Sequence, residues 1–117
     1  MRYALLIYDD IEVRDRTPGE DRRRITSAVL EVLARPNVTT WLRLQDTESA
    51  TTVRRDQGRS LLTDGPFVDS KDFLGGYVEV EAENLDGALA VAEELQALRP
   101  WGAIEVRPVR EEPGVGA

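Results

Sequence analysis

The sequence contains neither cysteine nor histidine. Without cysteine there is no disulfide, no thiolate nucleophile and no zinc–thiolate site. Without histidine, the usual general base near neutral pH and the commonest metal ligand are both gone. No metal site and no cofactor are expected. Basic charge is also short: 15 Lys and Arg stand against 22 Asp and Glu, a net charge of -7. That argues against nucleic acid or an anionic membrane as partner, since both require a basic surface. No apolar run approaches the length needed to span a bilayer, and Arg2 opens a short strand with no small-residue cleavage site behind it. The expected location is the cytoplasm.

What is present fits one modest domain. The 117 residues are 41% hydrophobic and 32% charged, ordinary for a globular chain. Tyr3 to Tyr8 is apolar on both faces and reads as a central strand. Asp9 to Arg16 reads as a charged loop. Thr17-Pro18-Gly19-Glu20 has the spacing of a capping box, with Pro at the first helical position. Behind it Ile25, Ala28, Val29, Val32 and Leu33 form one stripe of a helix. Arg22, Arg23 and Arg24 read as its solvated face. Pro36-Asn37 stops the helix.

Val38 to Leu44 reads as a strand with Thr39, Trp41 and Arg43 on one face and Thr40, Leu42 and Leu44 on the other. Ala50 to Arg55 and Arg59 to Thr63 flank Asp56-Gln57-Gly58 as a hairpin. Tyr77 to Glu81 alternates as a strand. Asn84 is placed to cap a helix with the stripe Leu85, Ala88, Leu89, Ala92 and Leu95. Arg99-Pro100 ends it, and Ala103 to Val109 is the last strand. The order predicts an α+β, ferredoxin-like split βαβ sandwich with a hairpin insertion. Both helices lie on one face of an antiparallel sheet. The domain is taken as residues 1–110, with 111–117 a flexible tail.

Residues 61–77 carry the densest backbone punctuation. Asp64-Gly65-Pro66 forces a turn, because Gly tolerates positive φ and Pro pushes the preceding residue out of the helical region. Gly75-Gly76 at a strand start predicts a bulge or a close backbone approach. Asp64-Gly65-Pro66-Phe67, Lys71, Leu74-Gly75-Gly76-Tyr77 and Glu105-Val106-Arg107-Pro108 together resemble the YCII-related family in its DGPF subgroup. Met1 to Tyr8 fits the same pattern. The resemblance implies a homodimer in which two sheets face each other as a dimeric α+β barrel. It also implies an accessory role beside a regulatory sigma-factor system, and with it a regulatory protein partner. Some relatives are described as using a histidine–aspartate pair for lactone or dehalogenation chemistry. A chain without histidine cannot carry that pair.

A sheet face left bare by both helices is the expected site. Between two copies it would become a concave, partly apolar cavity for a small, acidic molecule. Tyr8, Trp41, Gly65, Phe67, Lys71, Tyr77, Glu105 and Arg107 are the candidate ligand-binding residues. Arg107 could clasp a carboxylate through its planar fork, or simply pair with Glu105. Asp64 is the candidate acid or base. Desolvated by Phe67 it would gain the needed basicity; accepting backbone N–H groups of its own turn, it would lose it. Two alternatives stay open. One is a small isomerase, lyase or hydrolase using Asp64 for proton transfer. The other is a module whose sheet face binds another protein.

Overall fold

The computed structural model describes residues 1–111. The tail expected from 111 onward lies, from residue 112, outside the described residues. The elements run β1 (Arg2–Asp10), α1 (Ile11–Arg16), α2 (Gly19–Leu33), β2 (Val38–Arg43), β3 (Thr51–Asp56), β4 (Arg59–Asp64), β5 (Asp72–Glu81), α3 (Leu85–Leu98) and β6 (Ala103–Pro108). β2, β5, β1 and β6 form one antiparallel sheet in that order. β1 is interior, as its two-faced apolarity implies. β3 and β4 pair only with each other.

α2 and α3 pack on one face of the sheet and bury a single core. Its centre is Tyr3 and Leu5 of β1, Val78 and Val80 of β5, Val32 and Leu33 of α2, and Ala88, Val91, Ala92 and Leu95 of α3. The α3 stripe is therefore rotated from the expected one. Val91 is buried, and Leu85, in the first turn, is exposed. Asn84 caps α3 as expected, its Oδ1 accepting the Gly87 N–H at 3.1 Å.

The entry to α2 differs from the expected capping box. Residues 11–16 form a helical turn of their own, capped by Asp10, whose Oδ1 accepts from Glu12 and Val13 N–H. Thr17 ends that turn instead of starting the next. Its hydroxyl donates to the Val13 carbonyl at 2.9 Å, and α2 begins after Pro18 without a side-chain cap. Asp10 caps α1, and Thr17, its hydroxyl bonded to Val13, leaves α2 uncapped.

The paired glycines serve two close approaches. At Gly75 the β1–β5 register slips by one residue, a bulge, and a Cβ there would lie 2.0 Å from the Asp9 carboxylate. At Gly76 a Cβ would meet the Leu42 carbonyl at 3.0 Å.

Candidate functional site

The bare sheet face carries four of the eight residues expected there: Tyr8, Tyr77, Glu105 and Arg107. Leu6 sits opposite Tyr77 and Glu105, and Ala4 opposite Glu79 and Arg107, so these side chains share that face. They are engaged with one another. Glu105 pairs with Arg107. The Tyr77 hydroxyl donates to Glu79 at 2.9 Å, and Arg2 reaches Glu79 at 3.3 Å. Burial, reinforced by the bond to Glu79, raises the Tyr77 pKa above its ordinary value. Tyr8, paired with Leu74 and Ala103, lies on this face as well.

Trp41 does not. The β2–β5 register shifts between Val38 and Thr40, and Trp41 comes opposite Val78, a core residue. The bulge reverses the alternation, so Trp41 lies on the helix side. A simple period of two could not show that inserted residue.

The Asp64 corner is open. Phe67 is 72% exposed and so cannot desolvate Asp64. Among the described residues the Asp64 carboxylate has no hydrogen bond or ion pair, so it does not cap its own turn either. Gly65 takes φ 102° as the turn requires. Its N–H donates to the Ala50 carbonyl at 2.8 Å, and its own carbonyl accepts the Thr52 hydroxyl at 2.7 Å. Lys71 is exposed, 4.0 Å from Asp10.

A cavity of about 120 Å³ lies instead between α2 and the sheet. Ile7, Ile25, Val29, Leu33 and Val78 give it an apolar floor, and Trp41 and Trp101 both line it. Its polar end is built on a buried pair. Arg99, 7% exposed at the end of α3, donates to Asp9 Oδ1 at 2.7 Å and to the Tyr8 carbonyl at 3.1 Å. Gln96 fixes the turn behind it by donating to the Arg99 and Trp101 carbonyls. Gly102, at φ 70°, lets the chain cross the Tyr8 carbonyl, which a Cβ would meet at 1.8 Å.

The cavity opens into a groove lined by Arg14, Arg22, Arg23 and Arg43. Arg14 and Arg43 border both spaces. Arg14 bonds Asp46 at 3.1 Å and stands 5.8 Å from the Phe73 ring centroid. Burial, the largest single influence, opposes its charge, but the bond to Asp46 and the negative charges of Asp46, Asp15 and Asp9 together outweigh it, and its pKa is raised. Arg22, Arg23 and Arg43 have no ion pair among the described residues. Four guanidinium groups at one mouth in a chain of net charge -7 form a local anion attractor. Within the cavity Asp9, its one carboxylate, is paired with Arg99.

The model of the YCII-related domain matches residues 1–113. This chain belongs to the YCII-related family. A curated relative, uncharacterized protein R00369 of Rhizobium meliloti (strain 1021), is 33% identical over 115 residues, covering 93% of this chain and 92% of the relative. Among solved structures, 5-chloro-2-hydroxyhydroquinone dehydrochlorinase (TftG) of Burkholderia phenoliruptrix AC1100, in complex with 2,5-dihydroxybenzoquinone, is 18% identical. It matches with a TM-score of 0.49 over 97% of each chain. The divalent cation tolerance protein CutA1 of Thermus thermophilus is 18% identical at a TM-score of 0.41, covering 96% of this chain and 87% of that one. At those identities and scores the two structures say nothing of what this YCII-related chain acts on.

Of the candidate ligand-binding and acid–base residues read from the sequence, the cavity takes only Trp41. Asp9, Arg14, Arg43, Arg99 and Trp101 escape a sequence reading because they come from separate elements and turns that only the fold brings together. One signal does point here. The close approach read from Gly75-Gly76 is the place where Asp9 enters.

No helix among the described residues is long and apolar enough to cross a membrane.

Proposed function

We propose that this YCII-related protein binds a small organic anion in the cavity between α2 and the sheet. The apolar floor takes the body of the molecule, and the arginine groove takes its acid group. One observation carries the reading: Arg22, Arg23 and Arg43 stand unpaired among the described residues around the mouth of an apolar cavity in an acidic protein. The space, about 120 Å³, is somewhat smaller than the roughly 150 Å³ of an apolar cavity that holds one benzene ring, so it takes only a small ligand whose acid group stays in the groove. The protein acts as a homodimer through its bare sheet faces, where Leu6, Tyr8, Leu42 and Tyr77 make an apolar half beside a charged one. A role accessory to a regulatory partner is compatible with a cavity whose one carboxylate, Asp9, is held by Arg99.

The test uses the protein's own probes. Its two tryptophans both line the cavity, so intrinsic emission reports the site. Titration with benzoate should give a saturable change, and Arg43→Ala should weaken binding about tenfold, the worth of one charge-assisted hydrogen bond. Benzyl alcohol, of the same shape without the charge, should bind more weakly. Equal binding of the acid and the alcohol would remove the arginines from the reading, and no saturable response to either would end it.

A further inference from the structure

The β3–β4 hairpin is an arm with nothing to lie on. Two strands alone are marginal in water and need a third strand or a packed face. Here Val53 and Leu62 are cross-strand partners, 65% and 67% exposed. Val68 beyond the arm's base is equally bare. The bonds between Gly65, Ala50 and Thr52 fix the base, and Arg14 holds Asp46 just before it, so the arm is held away from its own body. The chain's radius of gyration is 16.2 Å, against roughly 13 Å for a compact chain of this length. The whole is only 18 Å thick across extents of 45 and 44 Å.

Charge separates arm from body in the same way. Residues 51–64 carry three arginines against two aspartates, a net +1, while the chain carries -7 and the remainder therefore -8. The bare sheet face supplies the apolar complement: Leu42, Leu44 and Leu74 are exposed along it. Glu79 and Glu81 continue it beyond Tyr77, each already facing one cation, Arg2 and the N-terminal ammonium, so an arm arginine would share them.

From this juxtaposition we infer that each arm lies across the bare sheet face of a second copy. Val53 and Leu62 cover that copy's Leu42, Leu44 and Leu74, and Arg55, on the same arm face, meets its carboxylates. Both halves of the contact are on one chain, so a two-fold axis uses each of them twice and closes the assembly at a dimer. A foreign partner would satisfy the arm and leave the chain's own matching face bare. The inference rests on the homodimer reading and adds the element that grips.

The absence of native cysteine makes the test direct. The double variant Leu42→Cys/Leu62→Cys, oxidised, should run as a covalent dimer on a non-reducing gel. Sedimentation velocity of the unmodified protein should give a dimer, and Val53→Glu/Leu62→Glu should raise its dissociation constant at least tenfold. The thermal transition should survive, because the arm touches none of the core. A dimer that ignores those charges and gives no cross-link would overturn the arm contact and leave the homodimer standing. A monomer at tens of micromolar would overturn both. A disulfide formed within one chain would overturn the inference by showing the arm folded back on its own body.

Discussion

Asp9 and Arg99, ninety residues apart in the chain, meet at 2.7 Å over a glycine. The pair joins the end of β1 to the end of α3 and forms the polar wall of the cavity. Removing one member of a buried ion pair strands the other charge. Asp9→Ala should therefore cost about 3 kcal/mol, near the low end for such pairs because Asp9 keeps some solvent contact and the Tyr8 carbonyl still accepts from Arg99. Urea denaturation checks it. A loss under about 0.5 kcal/mol would mean that water had replaced the carboxylate.

The glycines around this pair should rank by what stands opposite each. At Gly102 a Cβ meets backbone, the Tyr8 carbonyl, at positive φ; neither atom can step aside. At Gly75 it meets the Asp9 side chain, which can swing at the expense of Arg99. At Gly58, in the hairpin turn, φ is positive but the space is open. The expected order of destabilisation is Gly102→Ala, then Gly75→Ala, then Gly58→Ala, the last costing about 1 kcal/mol. Chemical melts of the three variants give the order, and a Gly58→Ala loss equal to that of Gly102→Ala would contradict it.

Much of this architecture is legible in the sequence because each element obeys its local rules. The apolar β1, the stripe of α2, the Asn84 cap, the Gln57-Gly58 turn and the Gly75-Gly76 approach follow from periodicity and backbone chemistry. The cavity is not legible, for two reasons. The bulge in β2 carries Trp41 across the sheet, and an inserted residue leaves no trace in alternation. Asp9 and Arg99 become partners only when β1 and the end of α3 are brought together, which no local pattern encodes. Arg22 and Arg23 are solvent-exposed, as a solvated helix face requires, yet the bend between α1 and α2 brings Arg14 beside them.

Tyr77 supplies a pH signature for the bare sheet face. Its pKa is raised by burial and by the bond to Glu79. Above about pH 10 an unfolded tyrosine ionises while folded Tyr77 keeps its proton. The folded state then binds more protons than the unfolded one, so stability falls as pH rises. The contribution is whole below about pH 10 and is lost above it. Between about pH 9 and about pH 11, wild-type protein should lose more stability than Tyr77→Phe in paired urea melts. Parallel losses would show that Tyr77 ionises as freely folded as unfolded.

Asp64 separates the two locations a site could take in this fold. It closes β4 at the base of the arm, opposite Thr51, and no residue lining the cavity belongs to that corner. Its carboxylate holds no partner among the described residues, so Asp64→Asn removes a charge without breaking a bond. The variant should melt with the wild type, within about 0.5 kcal/mol. It should also bind benzoate with an unchanged tryptophan response, whereas Arg43→Ala should not. The contrast matters because the Asp-Gly-Pro-Phe turn is the sequence's most conspicuous feature, and its geometry serves the backbone: Gly65 bonds Ala50 and Thr52 and thereby aims the arm. A Gly65→Ala change strains φ 102° and should disturb the proposed arm contact before it disturbs the benzoate response. If Asp64→Asn instead abolished the benzoate response with the fold intact, the site would move to the turn and the cavity reading would fail.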